Sequence, residues 1–205
     1  MDSLARALDV IALLYATLFF PAPFFWLIIH PAVRFWRKYR SRAYWVAVPV
    51  WVAFGGALWV FRQGLFADRL QRSAWSWILG ALLVAAGLWV NRHVHREFSL
   101  KRLIGLPELD PGRNPGGVVR SGIYSRVRHP RYLQFMLTFV GLALLTGAVG
   151  IFLLAIVTIL MYLIVVPLEE RELRTRYGGE HETYAEEVPR FLPRLRRKNR
   201  PPISP

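Results

Sequence analysis

Five long apolar runs, separated by basic stretches, limit what this chain can fold into. They cover residues 10–29, 44–61, 74–90, 132–146 and 149–168. Backbone groups in hydrocarbon have no water to bond, so runs near 20 apolar residues point to helices that satisfy their own donors and acceptors. The expected fold class is all-α: a polytopic membrane protein of five transmembrane helices, with a C-terminal helical hairpin and cytoplasmic loops. The second to fourth runs are short for a span and need flanking Trp and Arg in the headgroup region. Trp45, Trp75, Trp77 and Trp89 stand near run ends as such a belt requires. Pro21 and Pro23 are expected to kink or break the first run. That run has no basic leader or small-residue cleavage site before it, and it is expected to stay as a helix.

The chain of 205 residues is 54% hydrophobic and carries a formal net charge of +14. Such a charge can serve nucleic-acid binding, but here the basic residues lie between bilayer-length apolar runs, which argues against a nucleic-acid partner. There is no cysteine, which excludes disulfides, thiolate nucleophiles and Cys-based metal sites. Arg34, Arg37, Lys38, Arg40 and Arg42 follow the first run, and a longer series from Arg92 to Arg131 follows the third. The loop after the second run is poorer in such residues, and the fourth and fifth runs join through uncharged Gly147-Ala148. The positive-inside rule then predicts an outside N-terminus, an inside C-terminus and a multi-pass protein whose site faces the cytoplasm. We divide the chain into N-terminal transmembrane segments, residues 1–91, and a core of loop, hairpin and tail, residues 92–205. The basic, Pro-rich end, residues 194–205, suits the surface of anionic lipid.

Chemistry concentrates at the cytoplasmic ends of the last two runs. Residues 122–132 read GIYSRVRHPRY. A residue before proline avoids the helical region and proline suits the first helical position, so His129 should sit just outside a helix begun by Pro130. The backbone N–H groups there can receive an anion. A cofactor clamp and an interfacial anchor of Arg, His and Tyr fit this stretch equally. Glu169-Glu170 close the fifth run. Glu169 shares a helix face with Leu173 and Arg176 and can look inward, whereas Glu170 reads as a solvated partner of Arg174. Tyr177-Gly178-Gly179 should stop that helix. Val188-Pro189-Arg190-Phe191-Leu192-Pro193 is either a lid folded over the site or an ordinary exit. His93 and His95 point apart on a helix, so no metal site is expected. His30 and His181 stand isolated and read as interfacial or solvated.

In order, the parts are Gly-x-Tyr, Arg-His-Pro-x-Tyr, an apolar hairpin, Glu-Glu, an aromatic-Gly stop, a Tyr and Val-Pro-Arg-Phe-Leu-Pro. Over about the last hundred residues this resembles the isoprenylcysteine carboxyl methyltransferase and phospholipid methyltransferase superfamily of integral membrane enzymes. The resemblance implies S-adenosyl-L-methionine as cofactor, held by Gly116, Gly117, Val118, Val119, Tyr124, His129, Pro130, Arg131, Tyr132 and Glu169. It further implies methyl transfer to a lipid or lipophilic, membrane-partitioning small substrate. Arg128 and Arg190 are the candidates for orienting an anionic substrate. Members acting on prenylcysteine resemble one another in a basic residue shortly before the Glu pair. Here residues 163–167 read LIVVP, which points away from a prenylcysteine carboxylate and leaves phospholipid amines and small thiols. The other function considered is a non-catalytic membrane accessory or lipid-binding protein that keeps the fold.

Overall fold

A computed structural model describes residues 3–97, 99–114 and 116–194. In chain order its α-helices are α1 (Ser3–Phe19), α2 (Ala22–Ile29), α3 (Val33–Tyr39), α4 (Tyr44–Val60), α5 (Arg62–Leu65), α6 (Ala74–Glu97), α7 (Leu100–Leu103), α8 (Leu106–Leu109), α9 (Pro130–Thr146), α10 (Val149–Tyr177) and α11 (Gly179–Glu187). The basic end from residue 195 onward lies outside the described residues.

Each of the five apolar runs forms helix, and the breaks fall where local chemistry puts them. The first run divides at Phe20-Pro21, and Pro23 occupies the first turn of α2, where its missing N–H costs nothing. Arg40 interrupts the path from α3 to α4 with φ of 51°. α9 begins at Pro130 with His129 just outside it in a non-helical conformation. Gly147, at φ of 67°, ends α9 in the left-handed conformation that glycine adopts without strain.

Among the described residues, four stretches are long and apolar enough to cross a bilayer: Ser3–Ile29, Val33–Val60, Ala74–Glu97 and Val149–Tyr177. α9, at 17 residues, is shorter, and it packs against α1, α6 and α10. It is the most enclosed helix, with Phe135, Phe139, Leu142 and Ala143 all buried. Leu82, Ile156, Leu160, Leu163 and Ile164 point outward, as side chains facing hydrocarbon would.

α6 and α9 run antiparallel, and glycines set their approach. A Cβ on Gly141 would lie 2.8 Å from the Gly80 carbonyl oxygen, and one on Gly87 would meet Thr138. Close backbone approach between small residues is a membrane-helix device. Gly141 therefore faces α6. At the end of the bundle carrying the α9–α10 turn, Leu70 N–H donates to the Gly147 carbonyl (2.8 Å) and Val149 N–H to that of Asp68 (3.0 Å). Arg69 pairs with Asp9 at 2.7 Å, tying α1 to the same turn. The polar cluster lies at the opposite end.

Candidate functional site

At that opposite end the C-terminus of α2, the extended segment 116–119, the N-terminus of α9 and the junction of α10 with α11 surround a cavity. It encloses about 920 Å³, its open mouth included. All the residues that the resemblance gave to the cofactor line it except Pro130. Pro130 is buried and starts the helix that presents His129, Arg131 and Tyr132.

The acidic pair divides its labour because adjacent residues on a helix point about 100° apart. Glu169 lines the cavity, and its Oε2 is buried with no hydrogen-bond partner among the described residues. His129 Nδ1 lies 3.6 Å from that oxygen. Glu170 turns the other way and is 1% exposed. It accepts from Arg128 Nη2 (2.8 Å) and Arg190 Nη2 (2.8 Å), and His129 Nε2 lies 3.2 Å away. The expected solvated Glu170–Arg174 pair is therefore overturned. Glu170 is the buried hub of a network, because α10 continues under the returning tail rather than out into water.

Arg128 and Arg190, the candidates for meeting an anionic substrate, are both engaged by Glu170. Arg128 lines the cavity and also donates from Nη1 to the carbonyls of Ala185 and Val188. Arg190 is not in the cavity wall.

The tail folds back. The N–H groups of Arg128 and His129 donate to the carbonyls of Pro189 (2.8 Å) and Arg190 (3.0 Å). These two N–H groups precede the helix and serve this return. Phe191 joins the apolar cluster that contains Tyr132 and Tyr162. Tyr184 donates to the Tyr124 carbonyl at 2.7 Å, fixing α11 over the Gly122–Ser125 turn.

Several further residues line the cavity beyond those the resemblance gave to the cofactor. Trp26 and His30 come from the first apolar run, Glu108 from α8, Leu173 and Tyr177 from α10, and His181 and Tyr184 from α11. The isolated histidines are not solvated: His30 is 4% exposed and His181 2%. His30 stacks on Trp26, and neither of its ring nitrogens has a hydrogen-bond partner among the described residues. Burial pulls the His181 ring below its ordinary value. A signal did exist in α11. His181 and Tyr184 stand three apart on one face of an otherwise acidic helix, the spacing of an inward stripe.

Glu108 faces the same cavity from a loop helix. Burial pushes its carboxyl up to about 7, Glu169 and Glu172 push the same way, and Arg176 opposes. A carboxyl raised on folding contributes stability that is full below its ordinary 4.5 and is lost as pH rises through about 7. Glu108→Gln should therefore flatten the decline in thermal stability of the detergent-purified protein between roughly pH 5 and 8. Parallel declines in parent and variant would remove Glu108 as the cause.

Residues 75–180 match the phospholipid methyltransferase family. The cobalt-zinc-cadmium resistance protein CzcN of Cupriavidus metallidurans is 38% identical over 85 residues, covering 41% of this chain and 39% of that protein. The nickel-cobalt-cadmium resistance protein NccN of Alcaligenes xylosoxydans is 32% identical over 134 residues, covering 64% of this chain and 60% of that protein. The methanethiol S-methyltransferase of Pseudomonas deceptionensis is 29% identical over 149 residues, covering 72% of this chain and 54% of that protein. The chain thus spans between 39% and 60% of the length of these relatives. No solved structure matches it.

Proposed function

The chain belongs to the phospholipid methyltransferase family, and we propose that it is an integral membrane methyltransferase that uses S-adenosyl-L-methionine on a lipophilic or membrane-partitioning small nucleophile. The observation that carries the reading is Glu169: a buried carboxylate oxygen with no hydrogen-bond partner among the described residues, aimed into a cavity walled by aromatic rings. A buried acceptor left open costs free energy unless a ligand completes it. Among curated relatives, the likeness to methanethiol S-methyltransferases supports the same class.

The residues present suit such a cofactor. Glu169 can accept from ribose hydroxyls or an amino group. Gly117 leaves open space beside segment 116–119, while a Cβ on Gly116 would collide with the Tyr177 hydroxyl. Tyr124, Tyr132 and Tyr184 give the cavity aromatic walls suited to an adenine or a sulfonium charge. When bound, the cofactor supplies an electrophilic methyl group on sulfur. The protein's own part is alignment of the reacting groups and exclusion of water, which raises the reactivity of an anionic nucleophile. Through Glu170, Arg128 and Arg190 hold the tail against the α9 N-terminus and so position His129. The series of basic loops supports placing this end on the cytoplasmic side.

The residues just before the Glu pair bear on the substrate class. Val165 and Val166 are fully buried in the apolar cluster beneath Tyr132. Neither valine offers a charge to a prenylcysteine carboxylate, and Arg190 is held by Glu170. We therefore favour an amine or thiol acceptor.

Glu169→Gln should weaken binding of S-adenosylhomocysteine roughly ten- to hundredfold, the loss of a hydrogen bond to a charged acceptor. Isothermal calorimetry on the purified protein reads this, and unchanged affinity in a folded variant would refute the assignment.

A further inference from the structure

A second cavity lies on the outer side of α10, and nothing in the methyl-transfer reading uses it. It encloses about 970 Å³, mouth included, between α3 and the C-terminal half of α10. Its wall holds Arg34, Arg37, Arg171 and Arg176, with Glu172 as its acidic residue. Arg37 pairs with Glu172 at 2.6 Å, and Arg176 lies 3.9 Å from Glu108. Arg34 and Arg171 are exposed and have no ion pair among the described residues. Guanidinium groups gathered round one void repel unless an anion joins them. Their fixed fork of donors suits phosphate oxygens in pairs.

The same wall says where the anion comes from. Ile164, Leu168, Arg171 and Thr175 follow one another at helical spacing along one face of α10. Ile164 is 48% exposed on the apolar flank, and Leu168, Arg171 and Thr175 belong to the cavity. The stripe therefore runs from apolar to cationic in the sense of a lipid lying with its chains in hydrocarbon and its headgroup at the interface. On the facing helix, Phe35 and Tyr39 are about half exposed, as interfacial aromatic residues are. Basic pockets between membrane helices bind lipid headgroups by this chemistry.

We infer that the groove between α3 and α10 binds the phosphate of a membrane lipid, with the acyl chains along Ile164 and Leu168. His30 lines both this groove and the larger cavity, so the bound headgroup lies one side chain from the proposed cofactor site. The site is distinct from the donor site and needs no methyl donor to be filled.

Native mass spectrometry of the full chain in detergent tests it, with dioleoyl phosphatidic acid as the probe. The parent should bind the probe, and Arg34→Gln/Arg171→Gln should bind at least about tenfold more weakly, equivalent to about 1.4 kcal/mol. Both side chains are exposed, so the thermal unfolding midpoint should not move. Dioleoylglycerol should not bind, and inorganic phosphate should not displace the lipid. Equal probe binding by parent and variant, or equal binding of dioleoylglycerol, overturns the inference. Displacement by inorganic phosphate at equal concentration would assign the groove to free phosphate and overturn the lipid. Calorimetry with S-adenosylhomocysteine on the same samples separates the two proposals. Normal affinity alongside no lipid dependence on Arg34 and Arg171 sinks the groove alone.

Discussion

Glu170→Ala is expected to destabilise the protein by about 3–5 kcal/mol, the cost of removing one partner from a buried ion pair. Glu170 is 1% exposed, and the Arg128 side chain beside it is 10% exposed. Without the carboxylate, Arg128 keeps its charge in a poorly hydrated place. Arg190, 46% exposed, can turn to water. The tail should then leave the α9 N-terminus, because Arg190 and Arg128 are the side chains that tie it to α10. Chemical denaturation in detergent reads the stability, and limited proteolysis around residues 188–194 reads the release. Glu170→Gln keeps the shape without the charge and should fall between parent and alanine. A loss below about 1 kcal/mol, the scale of an exposed pair, would mean the hub is not load-carrying in this sense.

Gly141→Leu should have an effect of similar size through packing alone. A Cβ at this position would lie 2.8 Å from the Gly80 carbonyl oxygen and 2.9 Å from the Val84 nitrogen. Those are backbone atoms, which cannot turn aside as a side chain would. Overpacking of this kind costs about 1–3 kcal/mol for small insertions. The alanine variant should fall in that range, and the leucine variant should part α6 from α9 and fail to give a monodisperse folded species in size-exclusion chromatography. A leucine variant with the parent's unfolding midpoint would show that the helices are not held by this contact.

The sequence made much of this site legible because its signals are local. His129-Pro130 marks a helix start through backbone sterics alone, and the helix begins there. Helical spacing turned Glu169 inward. Segment 116–119, Tyr124 and the first turn of α9 converge because a short turn joins two long helices and brings their distant ends to one level. Glu170 was misread because its partners are 42 and 20 positions away, and no periodicity reports a partner chosen by the return of a tail. The same holds for His30, which reaches the cavity only because α2 packs against α10.

The central claim is that the cavity at the end of α9 and α10 holds the methyl donor. Hydrogen exchange of the purified full chain, with and without S-adenosylhomocysteine, tests it most directly by showing where the ligand acts. The account predicts added protection in segment 116–119, around residues 128–132 and through α11 and its return to Arg190, with no change at the Asp9–Arg69 end. No protection at saturating ligand, or protection confined to the opposite end of the bundle, would contradict it.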